Sequence, residues 1–119
     1  MSPVVLVFVG VTLATSFNGN LDKNGPDAIA ATEQLLATAG QVLGAASTCS
    51  QIDRVRVRAA MLRVEELIDK SAADNRQYYV AGNILSRGLD RGKRSIKQGE
   101  TDCRRADVDL TDLERTLGP

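Results

Sequence analysis

The chain has 119 residues, with 15 Lys and Arg against 15 Asp and Glu, and it contains no His, no Trp and only two Cys. Without His there is no Ser-His-Asp or Cys-His catalytic arrangement and no His-ligated metal site, and two thiols are too few for a four-cysteine metal site. The length fits one domain, and its core must be built from Leu, Val, Ile and Ala because only 3% of the chain is aromatic. We therefore expect a protein that is not an enzyme and holds no metal or cofactor.

The chain begins with an apolar segment followed by a linker. Residues 4–14 hold no charge and have the length of a signal-peptide core, well below the roughly 20 residues that span a bilayer, and Ala14-Thr15-Ser16 is a small-x-small cleavage pattern. No basic residue precedes this segment, so an apolar arm packed on the domain and a membrane anchor are the alternatives. We predict a signal peptide or apolar N-terminal arm over residues 1–16, a linker over 17–26 and a helical domain over 27–119.

Beyond the linker, apolar residues recur at spacings of three and four, which is the pattern of amphipathic helices. The predicted helices span residues 27–46, 51–70, 74–98 and 102–117. The second has two apolar seams, so we expect it to be the central helix. No Gly or Pro lies between residues 51 and 81, so one long bent helix in place of the second and third is an open alternative. Four helices with short connections predict an all-α fold, an antiparallel four-helix bundle.

Short polar motifs mark the ends of the predicted helices. Ser71-Ala-Ala-Asp74 fits a capping box at the start of the third helix. Gly99 is expected to end that helix, because Gly readily adopts the left-handed conformation found after a helix. Thr101 or Asp102 is expected to cap the fourth helix.

The two cysteines constrain the topology. Cys49 lies just before the second helix and Cys103 begins the fourth, and a hairpin of the second and third helices returns the chain to the same end of the bundle. We therefore predict a Cys49–Cys103 disulfide, which would stabilise the fold by about 4 kcal/mol in the chain-entropy model. The pair lacks the Cys-x-x-Cys spacing of redox sites. A disulfide and an apolar N-terminal segment together predict a periplasmic or secreted protein.

The balanced charge conceals a basic middle. Residues 51–100 carry 11 basic and seven acidic residues, while residues 1–50 and 101–119 each have a net charge of −2. The hairpin gathers many of these cations at the disulfide end, which predicts a surface for an anionic partner. The candidate residues are Arg56, Arg87, Arg91, Arg94, Arg104 and Arg105. The alternative is a solvated face whose cations pair with nearby carboxylates. These carboxylates are Asp53, Asp90, Glu100 and Asp102. Nucleic acid is not an expected partner, since no aromatic residues interleave the cations to stack on bases.

The third helix holds two further pairs of residues with a candidate role. Tyr78 and Tyr79 point about 100° apart on a helix, so one can enter the core while the other faces outward as an anchor for a partner. The alternative is that both pack at the tip of the bundle. Gly88 and Gly92 share one face, which predicts close packing of a neighbouring helix. Glycines on this helix could also shape a small-ligand pocket between helices.

In size, helical content and its single long-range disulfide, the chain is similar to the HdeA-like periplasmic acid-stress chaperones of bacteria. The resemblance is one of architecture, and no site residue is carried over from it. It implies a protein that binds other proteins, with a pH response supplied by the 15 carboxylates. The alternatives are an inhibitor, immunity or assembly module that uses the basic end, and a bundle that binds a small ligand. A membrane is expected as a partner only through the N-terminal segment, and the oligomeric state stays open, with a homodimer among the alternatives.

Overall fold

Four α-helices make up the part of the chain that the structure, a computed structural model, describes: residues 26–118, with side chains from Thr32 onward. In our numbering α1 spans Pro26–Thr48, α2 Arg54–Ser71, α3 Asn75–Lys97 and α4 Cys103–Leu117. Successive helices run in opposite directions, which confirms the predicted all-α antiparallel four-helix bundle. The proposed signal segment and the linker up to residue 25 lie outside the described residues. No helix within residues 26–118 is long and apolar enough to cross a membrane.

The chain breaks between α2 and α3, so the alternative of one long helix is excluded. Ala72 has an extended backbone and ends α2. The Asp74 carboxylate accepts a hydrogen bond from the Gln77 backbone N–H at 2.9 Å, and the Gln77 side-chain oxygen accepts one from the Ala73 N–H at 2.7 Å. The predicted capping box at Ser71 is wrong, because Ser71 is the last residue of α2 and the cap of α3 lies three residues later.

The starts of α2 and α4 are capped in the same way as the start of α3. The Asp53 carboxylate accepts a hydrogen bond from the Val55 N–H at 2.9 Å, and the Asp102 carboxylate accepts one from the Arg105 N–H at 2.8 Å. Each carboxylate also lies at the positive end of its helix dipole. Asp102 is thus confirmed as a cap. Gly99, with a φ of 75°, follows the end of α3 as expected.

α1 is the central helix and contacts each of the other three. Its last 15 residues carry no charge, so neighbours can cover it on every side. The largest fully buried side chains are Leu36 and Leu43 of α1, Val64 of α2 and Leu110 of α4. The prediction that the second helix is central is wrong. On the apolar seam that contains Val55, Ala59 and Leu62, all three side chains are exposed, Leu62 to 55%.

α1 and α3 run in the same direction and touch backbone to backbone at two pairs of glycines. A Cβ added at Gly40 would lie 2.7 Å from the carbonyl oxygen of Leu85 and 2.9 Å from the Cα of Gly88. A Cβ added at Gly44 or Gly92 would overlap a carbonyl oxygen of the facing helix. The close packing predicted for Gly88 and Gly92 is therefore confirmed, and the facing helix supplies glycines at the same four-residue spacing.

The Cys49–Cys103 disulfide is present, with the two Cα atoms 5.7 Å apart. It ties the end of α1 to the first residue of α4. Cys49 belongs to the buried core, which also includes Ala46 and Ile52 on either side of it. A disulfide of this kind fits an oxidising compartment.

Candidate functional site

The glycine contact with α1 determines which residues of α3 face the solvent. With Gly88 and Gly92 turned inward, Arg87, Arg91 and Arg94 are exposed along one flank of the helix. These three arginines, at spacings of four and three, are called the basic face here. They lie on one side of the helix because residues three or four apart are separated by about one full turn.

The basic face lies in the half of α3 nearest the disulfide. The close contacts pair Gly40 with Leu85 and Gly88, Gly44 with Leu89, and Gly92 with Gln41 and Ala45. Positions 45 to 51 apart in the sequence, with Gly40 and Gly88 in the middle of that range, therefore lie at the same level of the bundle. By this register Lys97 is level with Cys49. α3 as a whole carries six basic residues and one acidic residue. The basic half of α3 thus lies at the disulfide end of the bundle, near the arginines that begin α2 and α4.

The basic face forms no ion pair with any other side chain that the structure describes. Within residues 32–118, none of its three arginines is in an ion pair. Of the carboxylates considered as partners, Asp53 and Asp102 instead cap helices, and Asp90 and Glu100 also form no ion pair. The three positive charges are therefore available to a group outside the described part of the chain.

Arg56 has a different environment from the basic face. Its guanidinium donates hydrogen bonds to Glu114 at 2.9 Å, to Asp107 at 2.9 Å and to the Thr111 hydroxyl at 3.2 Å. These hydrogen bonds to Glu114 and Asp107 raise the pKa of Arg56 above its ordinary value. Arg56 joins α2 to α4 and is only partly exposed, so its charge is already neutralised inside the fold.

The acceptors of Arg56 were not among the predicted site residues. Asp107, Thr111 and Glu114 lie at spacings of four and three, so they share one face of α4. That spacing is a signal that the sequence carries. It places two carboxylates on one face, but it does not indicate that an arginine of another helix pairs with them.

Arg104 and Arg105, at the start of α4, complete the predicted set. Arg104 is exposed and in no ion pair within the described chain. Arg105 pairs with Asp109 four residues later, with Nε 3.3 Å from Oδ1. Burial raises the pKa of Asp109 above 3.8, and this effect outweighs the lowering by Arg105, while Asp112 adds to the rise. Within the described residues, four of the six predicted arginines thus form no ion pair, and three of these four lie on α3.

Both tyrosines are exposed. Tyr78 is 52% and Tyr79 is 75% exposed, and Val80 beside them is also exposed. Neither ring enters the core, so the packing of both at the bundle tip is not what the structure shows. They lie near the start of α3, at the end of the bundle opposite the disulfide.

The glycines of α3 do not shape a ligand pocket. The backbone of α1 occupies the space beside Gly88 and Gly92, and the space beside Gly82 is open. A shallow depression between α2 and α4, of about 340 Å³, is wide open to solvent and lined by Arg63, Thr111 and other residues of the two helices. Across the described residues, no cluster of three or more Cys, Asp or Glu side chains could hold a metal ion.

Comparisons with protein-family models, with curated proteins and with solved structures give no match. The resemblance to the HdeA-like chaperones therefore rests on architecture alone.

Proposed function

We propose that the protein is a small exported binding protein, without enzymatic activity, that captures an acidic partner protein through the basic face of α3. The periplasm or the extracellular space is its proposed location, which the disulfide supports. The observation that carries the proposal is the absence of an ion pair at Arg87, Arg91 and Arg94 within residues 32–118. Three cations fixed on one helix face attract a complementary acidic surface and accelerate its association.

The fold is suited to this role because the basic face does not contribute to the core. Each of the three arginines is exposed, and the residues that hold α3 in place are Leu85 and the glycines. Replacing the arginines should therefore change binding without unfolding the bundle, since surface substitutions away from caps and cores alter stability little.

The test is charge reversal of the whole face. In the variant Arg87→Glu, Arg91→Glu, Arg94→Glu, capture of partner proteins from the exported fraction of the host should be lost. Capture by the unaltered protein should weaken as salt is raised through the physiological range, because exposed charges are screened within about 8 Å at 0.15 M ionic strength. Mass spectrometry identifies what is captured, and circular dichroism confirms that the variant is helical.

A matched control carries the same change of net charge on another helix. Arg54, Arg58 and Lys70 are exposed on α2 and form no ion pair within the described chain. Reversing all three should leave capture intact. Equal capture by both triple variants and by the unaltered protein would overturn the proposal.

A second candidate is acid-triggered chaperone activity, and the contacts of Arg56 favour it. They are the only ion pairs between helices among the described residues, and they depend on ionised Glu114 and Asp107. Protonation of these carboxylates in acid removes the attraction that joins α2 to α4. Helicity by circular dichroism and apolar exposure by dye binding should then change between pH 7 and pH 2. Unchanged signals over that range would exclude this candidate.

A further inference from the structure

Tyr79 occupies the outermost line of α3. It lies nine residues before Gly88, and nine residues at about 100° each place it on the opposite side of the helix from the glycine contact. Lys97, nine residues after Gly88, lies on the same line. The distance from Tyr79 to Lys97 along the helix is about 27 Å at 1.5 Å per residue. The arginines of the basic face all lie on one side of this line, about 60° to 120° from it at 100° per residue, and Val80 lies on that same side.

The outer side of α3 is divided into two chemically different halves. Residues 77–86 carry no charge, and the exposed apolar side chains Tyr79 and Val80 lie among them. Residues 87–97 hold the basic face together with two lysines and a single carboxylate. An apolar contact near the α2–α3 turn is thus followed by a cationic half that ends level with the disulfide.

We propose that α3 recognises an acidic protein segment that also presents an apolar contact: its carboxylates meet Arg87, Arg91 and Arg94, and its apolar group packs on Tyr79 and Val80. This rests on the proposed function and names the chemistry of its partner. Charge complementarity selects the acidic segment, because the net charge of α3 is positive and its three arginines form no ion pair in the described chain. Tyr and Arg are also the residue types that most often anchor protein interfaces.

The same face is less suited to a membrane surface. Helices that lie in the bilayer interface bury a continuous apolar side. On α3 the apolar side is already packed on α1, and the outward line between Tyr79 and Lys97 passes the polar residues Asn83, Ser86 and Asp90. A protein segment requires only one local apolar contact.

The two halves should act on different rate constants. Exposed charges mainly raise the association rate and its salt dependence, whereas a desolvated aromatic anchor mainly slows dissociation. Substitution at Tyr79 should therefore raise the dissociation rate and leave the salt dependence of association unchanged. Substitution of the three arginines should lower the association rate and flatten its salt dependence.

The probes are two synthetic Glu-rich helical peptides of about 18 residues, long enough to span the same 27 Å or so. One carries a Leu pair at each end, and the other carries Ala at those positions. Binding kinetics are measured on the immobilised full chain over a series of salt concentrations. We expect the Leu peptide to bind the unaltered protein about tenfold more tightly than the Ala peptide, through slower dissociation. Tyr79→Ser should abolish that tenfold difference, and the triple Arg→Glu variant should bind neither peptide.

Leu62→Ser provides the matched control, because Leu62 is an exposed apolar residue on a different helix. It should leave both affinities unchanged. If the triple variant loses both peptides while Tyr79→Ser keeps the tenfold difference, the proposed function stands and this inference is overturned. If the unaltered protein binds neither peptide, both are overturned. Binding to vesicles of phosphatidylglycerol and phosphatidylcholine, but not to the peptides, would replace the acidic protein segment with an anionic membrane.

Discussion

Arg56 and Arg87 look alike in the sequence, as exposed cations on amphipathic helices, yet the fold gives them different surroundings. Arg56 is held by two carboxylates, and Arg87 forms no ion pair within the described chain. The predicted six-arginine surface therefore divides into residues that stabilise the fold and residues that remain available for binding. The sequence could not make this division, because the acceptors of Arg56 lie 51 to 58 residues further along the chain.

Asp109 gives a prediction at this scale. In the folded protein, burial raises the pKa of the Asp109 carboxyl above its ordinary value of 3.8. The folded state therefore binds the proton more tightly than the unfolded state does. The contribution of Asp109 to the free energy of unfolding is therefore largest in acid, below the pKa that it has in the unfolded chain. This contribution falls as pH rises through that pKa and then through the higher pKa of the folded protein. Asp109→Asn mimics the protonated form, so urea unfolding should show a more stable protein at pH 7 and a smaller gain at pH 3.

The control for this prediction is Asp69→Asn, a substitution at an exposed carboxylate of α2 that forms no ion pair within the described chain. It should change stability little at either pH. A loss of stability at pH 7 in Asp109→Asn would show instead that the ion pair with Arg105 outweighs the cost of burying the carboxylate.

The four helices were predictable as elements, since their apolar spacing is regular and their ends carry capping residues. Their bounds agree with the prediction to within about three residues. The start of α3 was predicted to within one residue, but its cap was assigned to Ser71, because Ser71 and Asp74 are both good caps and only the geometry shows which one the chain uses. The central position of α1 was also missed. The two apolar seams of α2 predict more burial than the Ala and Gly residues of α1 do. The small residues of α1 instead allow a close contact with α3, which the sequence pattern alone does not reveal.

The glycines give a prediction at the scale of the element. Gly92→Ala should destabilise the protein by about 1–3 kcal/mol, because the new methyl group would overlap the backbone of α1. Gly82→Ala on the same helix is the matched control and should stabilise it by up to about 1 kcal/mol, since a Cβ there meets no atom within 4 Å and Ala is the better helix former. Chemical denaturation of the two variants measures both signs. Stabilisation by Gly92→Ala would contradict the close contact.

At the scale of the whole molecule, the topology of the helices could be predicted from the sequence more accurately than the distribution of charge on the surface. The positions of two cysteines and three short connections were enough to predict the antiparallel bundle and the Cys49–Cys103 disulfide, because a hairpin must return the chain to the end it left. The zero net charge was less informative. Ion pairs with carboxylates of α4 involve Arg56, Arg105 and Arg115, whereas six basic residues of α3 and four of α2 form no ion pair within the described chain. That distribution depends on contacts between distant helices, which local spacing does not encode.

The contact between α1 and α3 has a consequence for the thermodynamics of binding. Because backbone meets backbone at Gly40, Gly44, Gly88 and Gly92, α3 is held by atoms that have no rotamers to change. The helix that carries the arginines and Tyr79 is thus preorganised, and a partner that docks on it has no helix to order. The entropy lost on association is then limited to exposed side chains and to the partner itself. A modest interface on this bundle can therefore give a higher affinity than the same residues would on a segment that folds only when it binds.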